Sequence, residues 1–521
     1  MAAQRRAHVH REGNPMKDPR RVVHPASPGL PDATSLTTRP RAVVVGGGIA
    51  GLTAATGLAE RGVEVDVVER EPYLGGRVGG WADDVDGVGA AAMNRGFHAF
   101  FRQYYNLRDL LRRVDPQLSM LFPVEDYPLI DGQGRRDTFR GLPQTPPFNA
   151  VAFALRSPTF RLRDLARLNA RAAAPLATVS VPDIYDRLDH VDADQFLRDI
   201  NFPEAARHLA FEVFSRSFFA QPPDLSAAEL ATMFHIYFLG SSEGLVFDVA
   251  NDNFDVALWN PLRRYLEGRG VRFHTGVSVT AVEPGFTVHC DSGQPLSADG
   301  VVLATDVTGL RGIVSGSAEL GDDAWRTAVD GLGTAPPFLV HRIWLDRPVA
   351  PDRPAFLGTG GLTPLDNVSV LERYERQAAD WARRTNGSVV ELHSYAVTDT
   401  SEELPRQLLA RLHAIFPETA QADIVGERLL LRGDCPRFAP GDFAVRPTVG
   451  TPVDGLALAG DGIRIDLPVA LMERAATTGW AAANRLLAHF GVAGHAVTTV
   501  PTTGRSATLR RLAERGRQLQ S

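Results

Sequence analysis

Arg41–Val78, RAVVVGGGIAGLTAATGLAERGVEVDVVEREPYLGGRV, is the stretch on which the fold turns. Ala42–Val45 is a short β-branched run, Gly46, Gly48 and Gly51 form G-x-G-x-x-G, Ile49–Arg61 has helical spacing, and Val63–Val68 returns as a second strand ending in Glu69. That order predicts a dinucleotide-binding βαβ unit. Gly46 permits the tight strand-to-helix turn, Gly48 lets the backbone approach a pyrophosphate, and Gly51 lets the helix lie close on the strand. The helix opens with Ile49 and Ala50, so its unpaired N–H groups and positive dipole end face the phosphates. Glu69, eighteen residues after Gly51, stands where a carboxylate accepts both hydroxyls of an adenosine ribose, which disfavours the extra phosphate of NADP; Arg70 beside it is a further candidate contact. A lone glycine motif also fits an ordinary turn, but the flanking strands and the acid at this spacing argue against that reading.

At 521 residues the chain is too long for one compact core, so two intertwined domains with tails are expected. An apolar fraction of 44% and a net charge of −6 fit a soluble globular class and give no sign of a nucleic-acid partner. Lys17 is the only lysine among many arginines, which reads as compositional bias. The two cysteines, Cys290 and Cys435, have no C-x-x-C spacing, so neither a disulfide framework nor a metal site is predicted. No run of eighteen apolar residues and no signal-peptide core is present, and a cytoplasmic protein that does not span a membrane is expected. Residues 1–38, rich in Arg, His and Pro, read as a disordered extension; Glu12, Asp18 and Asp32 count against an arginine-rich transit peptide.

Directly after the ribose acid, Gly75-Gly76-Arg77 resembles the second pyrophosphate-contacting motif of the FAD-dependent amine oxidase and carotenoid desaturase superfamily. Met93–Asn106, MNRGFHAFFRQYYN, and Leu142–Ala154, LPQTPPFNAVAFA, are similar to stretches of the plant-type phytoene and ζ-carotene desaturases. Leu456–Leu487 resembles the C-terminal flavin motif of the same superfamily. These likenesses run in order through most of residues 40–490. They imply an α/β fold, a Rossmann-type FAD-binding domain with an intertwined α+β substrate domain, and FAD as cofactor. They further imply that Val279 meets the adenine through backbone groups and that Asp461, following Gly460, bonds the ribityl–phosphate region. A helix beginning near Val469 would then point its N-terminus at the flavin O2. The cofactor domain is expected over 39–145, 260–330 and 425–490, the substrate domain over 146–259 and 331–424, and a tail over 491–521. Val271–Val282 reads as a strand pair, and Gly331–Ala422 contains no readable motif.

RGFHAFFRQYYNLRDLLRR, DYPL, FPEAARHLAFEVFSRSFFA and MFHIYFLGSSEGLVFDV together resemble the bacterial β-carotene desaturase/methyltransferase, or isorenieratene synthase, family. The resemblance implies a carotenoid substrate, β-carotene foremost, and an electron acceptor as partner. A β-ring carries two methyl groups on one quaternary carbon and becomes aromatic only if one moves. The implied path is hydride loss to the flavin N5, an allylic cation, a 1,2-methyl shift, proton loss and a second hydride removal, without S-adenosylmethionine. A carotene desaturase, a redox-neutral carotene isomerase and a non-catalytic lipid-binding escort protein are the alternatives; the intact Glu69, Arg77 and Asp461 oppose the last.

Arg95 and His98, among Phe97, Phe100, Phe101, Tyr104 and Tyr105, are the catalytic candidates, with a satisfied buried His and a surface or pyrophosphate-side Arg as the plainer readings. Asp194–Trp259, with Phe211, Phe214, Phe218, Phe219, Phe234, Tyr237, Phe238, Phe247 and Phe254, reads as the apolar heart of the second domain and as wall for a long hydrocarbon. From Pro147 to Leu176, apolar clusters alternate with Arg156, Arg161, Arg163, Arg167 and Arg171. Such a segment either lies on an anionic bilayer, giving peripheral membrane association, or packs as helices with solvated arginines.

Overall fold

The computed structural model describes residues 18–160, 163, 166–207, 216–505, 507 and 511. Its first layer is a five-stranded parallel sheet in the order Arg272–Thr275, Glu64–Glu69, Arg41–Val45, Gly300–Leu303, Leu456–Leu458. The central strands are runs of Val and Leu because both faces of a parallel sheet are covered. Helix Ile49–Ala59 is buried at every residue, which explains its lack of a polar face. It lies so close to helix Leu471–His489 that a Cβ on Gly479 would stand 2.4 Å from the Ala50 carbonyl oxygen.

The second layer is a seven-stranded sheet in the order Ile424–Arg432, Phe338–Leu345, Ser388–Ser394, Asn367–Val370, Phe356–Gly360, Leu129–Asp131, Arg136–Asp137. Helix Glu403–Ile415 covers one face, seating Leu404, Leu408 and Leu412 in a core with Val390 and Leu392. Leu129–Asp137 and residues 425–432 were expected in the cofactor domain and belong here. Ile424–Arg432 is drawn across by a long antiparallel register with Phe338–Leu345, and Leu129–Asp131 by parallel pairing with Phe356–Gly360.

Three other expectations change. The aromatic segment is no separate heart: Phe218, Tyr237, Phe238 and Phe254 share one core with Leu52 and Leu58 of the cofactor layer. Phe211 and Phe214 lie outside the described residues. Val271–Val282 contains two strands that do not pair with each other. Gly276, at φ +72°, turns the chain out of the parallel sheet, and Val279–Glu283 pairs instead with Thr287–Cys290. Residues 18–38 are not a loose extension. Val22–His24 pairs antiparallel with Val497–Thr499, and the buried Asp18 accepts the Ser242 N–H at 2.7 Å and pairs with Arg505 at 3.3 Å. The partners lie hundreds of residues away, so local composition does not announce them. Residues 1–17 and 512–521 are outside the described residues. Among the described residues no helix is long and apolar enough to cross a membrane.

Candidate active site

Where the strands of the parallel sheet end, a cavity of about 1060 Å³ opens between the two layers. Two glycine loops form one end of it. The Gly75 N–H donates to the Gly47 carbonyl at 2.8 Å, which sets Gly48 against Gly76. A Cβ on Gly48 would meet only the Gly76 Cα, at 3.8 Å, whereas one on Gly51 would stand 1.8 Å from the Gly46 carbonyl oxygen. Gly48 thus keeps the cradle open to a pyrophosphate, and Gly51 lets strand and helix meet. Glu69 ends its strand with both oxygens held: Oε2 accepts from the Gly47 N–H at 2.6 Å and Oε1 from the Glu71 N–H at 2.8 Å. Burial pushes this carboxyl up, partly offset by those two donors.

Gly46, Ile49, Ala50, Arg70 and Val279 also face the cavity. Arg70 pairs with Asp306, and Arg77 forms a close ion pair with Asp461. Gly460 is fixed by Thr478, whose Oγ1 accepts the Gly460 N–H at 2.9 Å. Gly51 and Val469, two of the expected contacts, do not reach the cavity wall. Val469 is buried, and the helix begins two residues later, at Leu471, so that Leu471 and Met472 face the cavity. An open double-glycine cradle, a ribose acid and a helix start converging on one cavity fit FAD.

The other end of the cavity is aromatic, with Phe97, Phe101, Tyr127, Tyr237, Phe247 and Phe338 on its wall. Phe97 packs on Phe247 and Phe356, and Phe101 on Tyr237. His98 is half-buried beside Phe254, and its Nδ1–H donates to the Gly96 carbonyl at 3.0 Å. Burial pushes its pKa down to about 4, so the imidazole is neutral at neutral pH. Arg95 is buried and held by both oxygens of Asp434, at 2.8 and 2.7 Å, with its guanidinium over the Phe338 ring. Its charge is therefore spent on Asp434, a partner for which the sequence offered no signal. All four arginines on the wall, Arg70, Arg77, Arg95 and Arg102, have an acid as partner. Such a wall suits an apolar ligand. Sequence reasoning also missed Tyr395 and His393, which reach the wall from the stretch in which no motif was found.

Comparison with known proteins agrees with this geometry. Residues 49–487 match the family of flavin containing amine oxidoreductases. The chain belongs to this family. It is 55% identical to a carotenoid phi-ring synthase of Streptomyces griseus over 97% of this chain and 98% of that protein. A carotenoid phi-ring synthase of Chlorobaculum tepidum is 29% identical over 91% and 92% of the two chains, and a zeta-carotene desaturase of Synechocystis is 26% identical over 86% and 97%. Among solved structures, a redesigned putrescine oxidase superposes with a TM-score of 0.64 at 18% identity, over 86% of this chain and 99% of that one. Cyclohexylamine oxidase of Brevibacterium oxydans gives 0.61 at 15% identity, over 87% and 99%. The protein is an FAD-dependent oxidoreductase with the amine oxidase fold.

Proposed function

We propose that this enzyme converts the end rings of β-carotene to aromatic rings by desaturation with an intramolecular 1,2-methyl shift. The observation that carries the reading is the continuity of the cofactor cradle with an aromatic, charge-compensated wall in one cavity. The names of the phi-ring synthase and carotene desaturase relatives support a carotenoid and its end ring as the substrate.

FAD, when bound, supplies hydride acceptance. Gly46, Gly48, Gly75 and Gly76 would hold its pyrophosphate, Glu69 its ribose, and Asp461 with Gly460 the ribityl–phosphate region. The remaining work falls to the chain. Its aromatic wall excludes water, and the faces of Phe97, Phe101 and Tyr237 stabilise a positive ring. His98, neutral and fixed through Gly96, orients the ring without adding a like charge. Substrate enters beside helix Phe148–Arg156: its Asn149 faces the cavity and donates to the Phe238 carbonyl at 2.7 Å, while Phe148, Val151 and Leu155 are exposed on the opposite side. That apolar face suits a bilayer in which carotene is dissolved. Of the nearby arginines, Arg163, Arg167 and Arg171 are exposed, and Arg161 lies outside the described residues.

The test is isotopic. Cells supplying β-carotene with labelled ring methyl groups are expected to yield an arene that keeps every label, one of them moved to the adjacent carbon, with four hydrogens fewer per converted ring. Loss of a label, or entry of a methyl group from methionine, overturns the migration; an unchanged hydrogen count makes the enzyme an isomerase.

A further inference from the structure

Aromatisation releases protons, and His98, whose burial disfavours its charged form, is a poor store for them. A better acceptor comes from the opposite layer. Strand Ser388–Ser394 runs on into Tyr395, and its alternation places Glu391, His393 and Tyr395 on one face. The register sets Arg342 opposite Glu391 and Asn367 opposite His393, so both cross-strand neighbours serve the same face. Glu391 and His393 are fully buried, while Tyr395 is half-buried and stands with His393 at the cavity wall.

The hydrogen bonds fix the direction of proton flow. Arg342 Nε donates to Glu391 Oε2 at 2.8 Å, and Nη2 stands at ion-pair distance, 2.7 Å, from the same oxygen. Burial pushes the Glu391 carboxyl up, but Arg342 and His393 outweigh it and hold the pKa at about 2. An ionised carboxylate only accepts, so the His393 nitrogen 2.8 Å from Glu391 Oε1, Nε2, carries the hydrogen. Nδ1 is then a lone pair. It meets the Asn367 amide at 3.2 Å and the Tyr395 hydroxyl at 2.9 Å, and the phenol donates to it. Gly96 packs against the same imidazole, a Cβ there standing 3.5 Å from His393 Nε2, while its carbonyl holds His98. The relay and His98 therefore address the same end of the cavity.

We propose that Tyr395 takes the proton from the ring cation and that His393, positioned by Glu391, receives the phenol's proton; this rests on the ring-aromatising reading above. A ring C–H bond breaks, and its electron pair becomes the new ring double bond. The released proton goes to the Tyr395 oxygen as the hydroxyl proton moves to His393 Nδ1. No oxidant is needed in this step: the substrate loses its positive charge and an imidazolium forms beside the Glu391 carboxylate. Arg342 keeps Glu391 from taking the proton itself.

The experiment uses FAD-loaded full-length protein with β-carotene in anionic liposomes and an artificial electron acceptor that reoxidises the flavin between the two hydride removals, comparing wild type, Tyr395→Phe and His393→Gln. Both variants are expected to keep bound flavin and melting temperature and to form aromatic product about a hundredfold more slowly. In ¹⁵N-histidine spectra of the wild type, His393 should show Nε2 protonated and Nδ1 bare, with Nδ1 shifting in Tyr395→Phe. A protonated Nδ1 overturns the relay whatever the activity. So does a Tyr395→Phe enzyme with the wild-type rate. Absence of aromatic product from the wild type overturns the ring-aromatising reading and the relay with it, which separates the two failures.

Discussion

Gly48 and Gly51 stand three residues apart in one motif and answer to different constraints. Gly51 has no room for a side chain, since a Cβ would overlap the Gly46 carbonyl, and Gly48 has open space that the proposed pyrophosphate contact would use. Gly51→Ala is therefore expected to cost about 2 kcal/mol of stability or more, as overpacking does. Gly48→Ala should leave stability within about 0.5 kcal/mol while weakening FAD binding at least about tenfold. Thermal melts and flavin titration of the two variants separate these effects; a Gly48→Ala protein that binds FAD normally would remove the cradle from the site. The motif made both roles legible. The ion pairing of Arg95 was not legible, because Asp434 lies 339 residues further along the chain.

At the scale of elements, helix Leu471–His489 does more than line the cavity. Its Glu473 is buried and accepts the Asn106 N–H at 2.9 Å, the Asn106 side-chain amide at 2.8 Å and the Leu107 N–H at 3.0 Å. Those backbone donors belong to the first turn of helix Tyr105–Arg112, whose own N-cap, Tyr104, offers no side-chain acceptor. One helix thus caps another across the core. Glu473→Ala strands the buried donors and is expected to cost about 3 kcal/mol in chemical denaturation. Burial pushes this carboxyl from 4.5 up to about 8, so charging it in the fold is unfavourable. Relative to Glu473→Gln, the wild type should lose stability as pH rises from about 4.5 to about 8; parallel pH profiles would show that the capping donors cancel the cost of burial. The resemblance implied a helix near Val469, but the cap was not legible, because a cap supplied by another helix leaves no S-x-x-E signature.

For the whole molecule, the cavity lies between two layers, and helix Phe148–Arg156 stands beside it with exposed apolar side chains. If carotene enters there from a bilayer, replacing Phe148, Val151 and Leu155 together by Ser should reduce flotation with anionic liposomes at least about tenfold, given roughly 25 cal/mol per Å² of apolar surface. Flavin content and melting temperature should not change, since these side chains pack little in the fold. Undiminished flotation would assign the membrane contact to another surface.

The sequence by itself determined the βαβ start of the cofactor half. Glycine spacing, β-branched runs and the acid at Glu69 are local, and local residues dictate a tight turn, a parallel strand and a phosphate-facing helix start. It named Arg95 and His98, but the rings they meet, Phe338 and Phe254, lie outside the stretch that named them. Only the tertiary structure decided which strands form the second sheet, that the start of the chain pairs with Val497–Thr499, and that Glu391, His393 and Tyr395 meet Arg342 and the cavity. The physical reason is reach: these arrangements come from pairing between segments tens to hundreds of residues apart, and a strand's own residues give its alternation but not its neighbour.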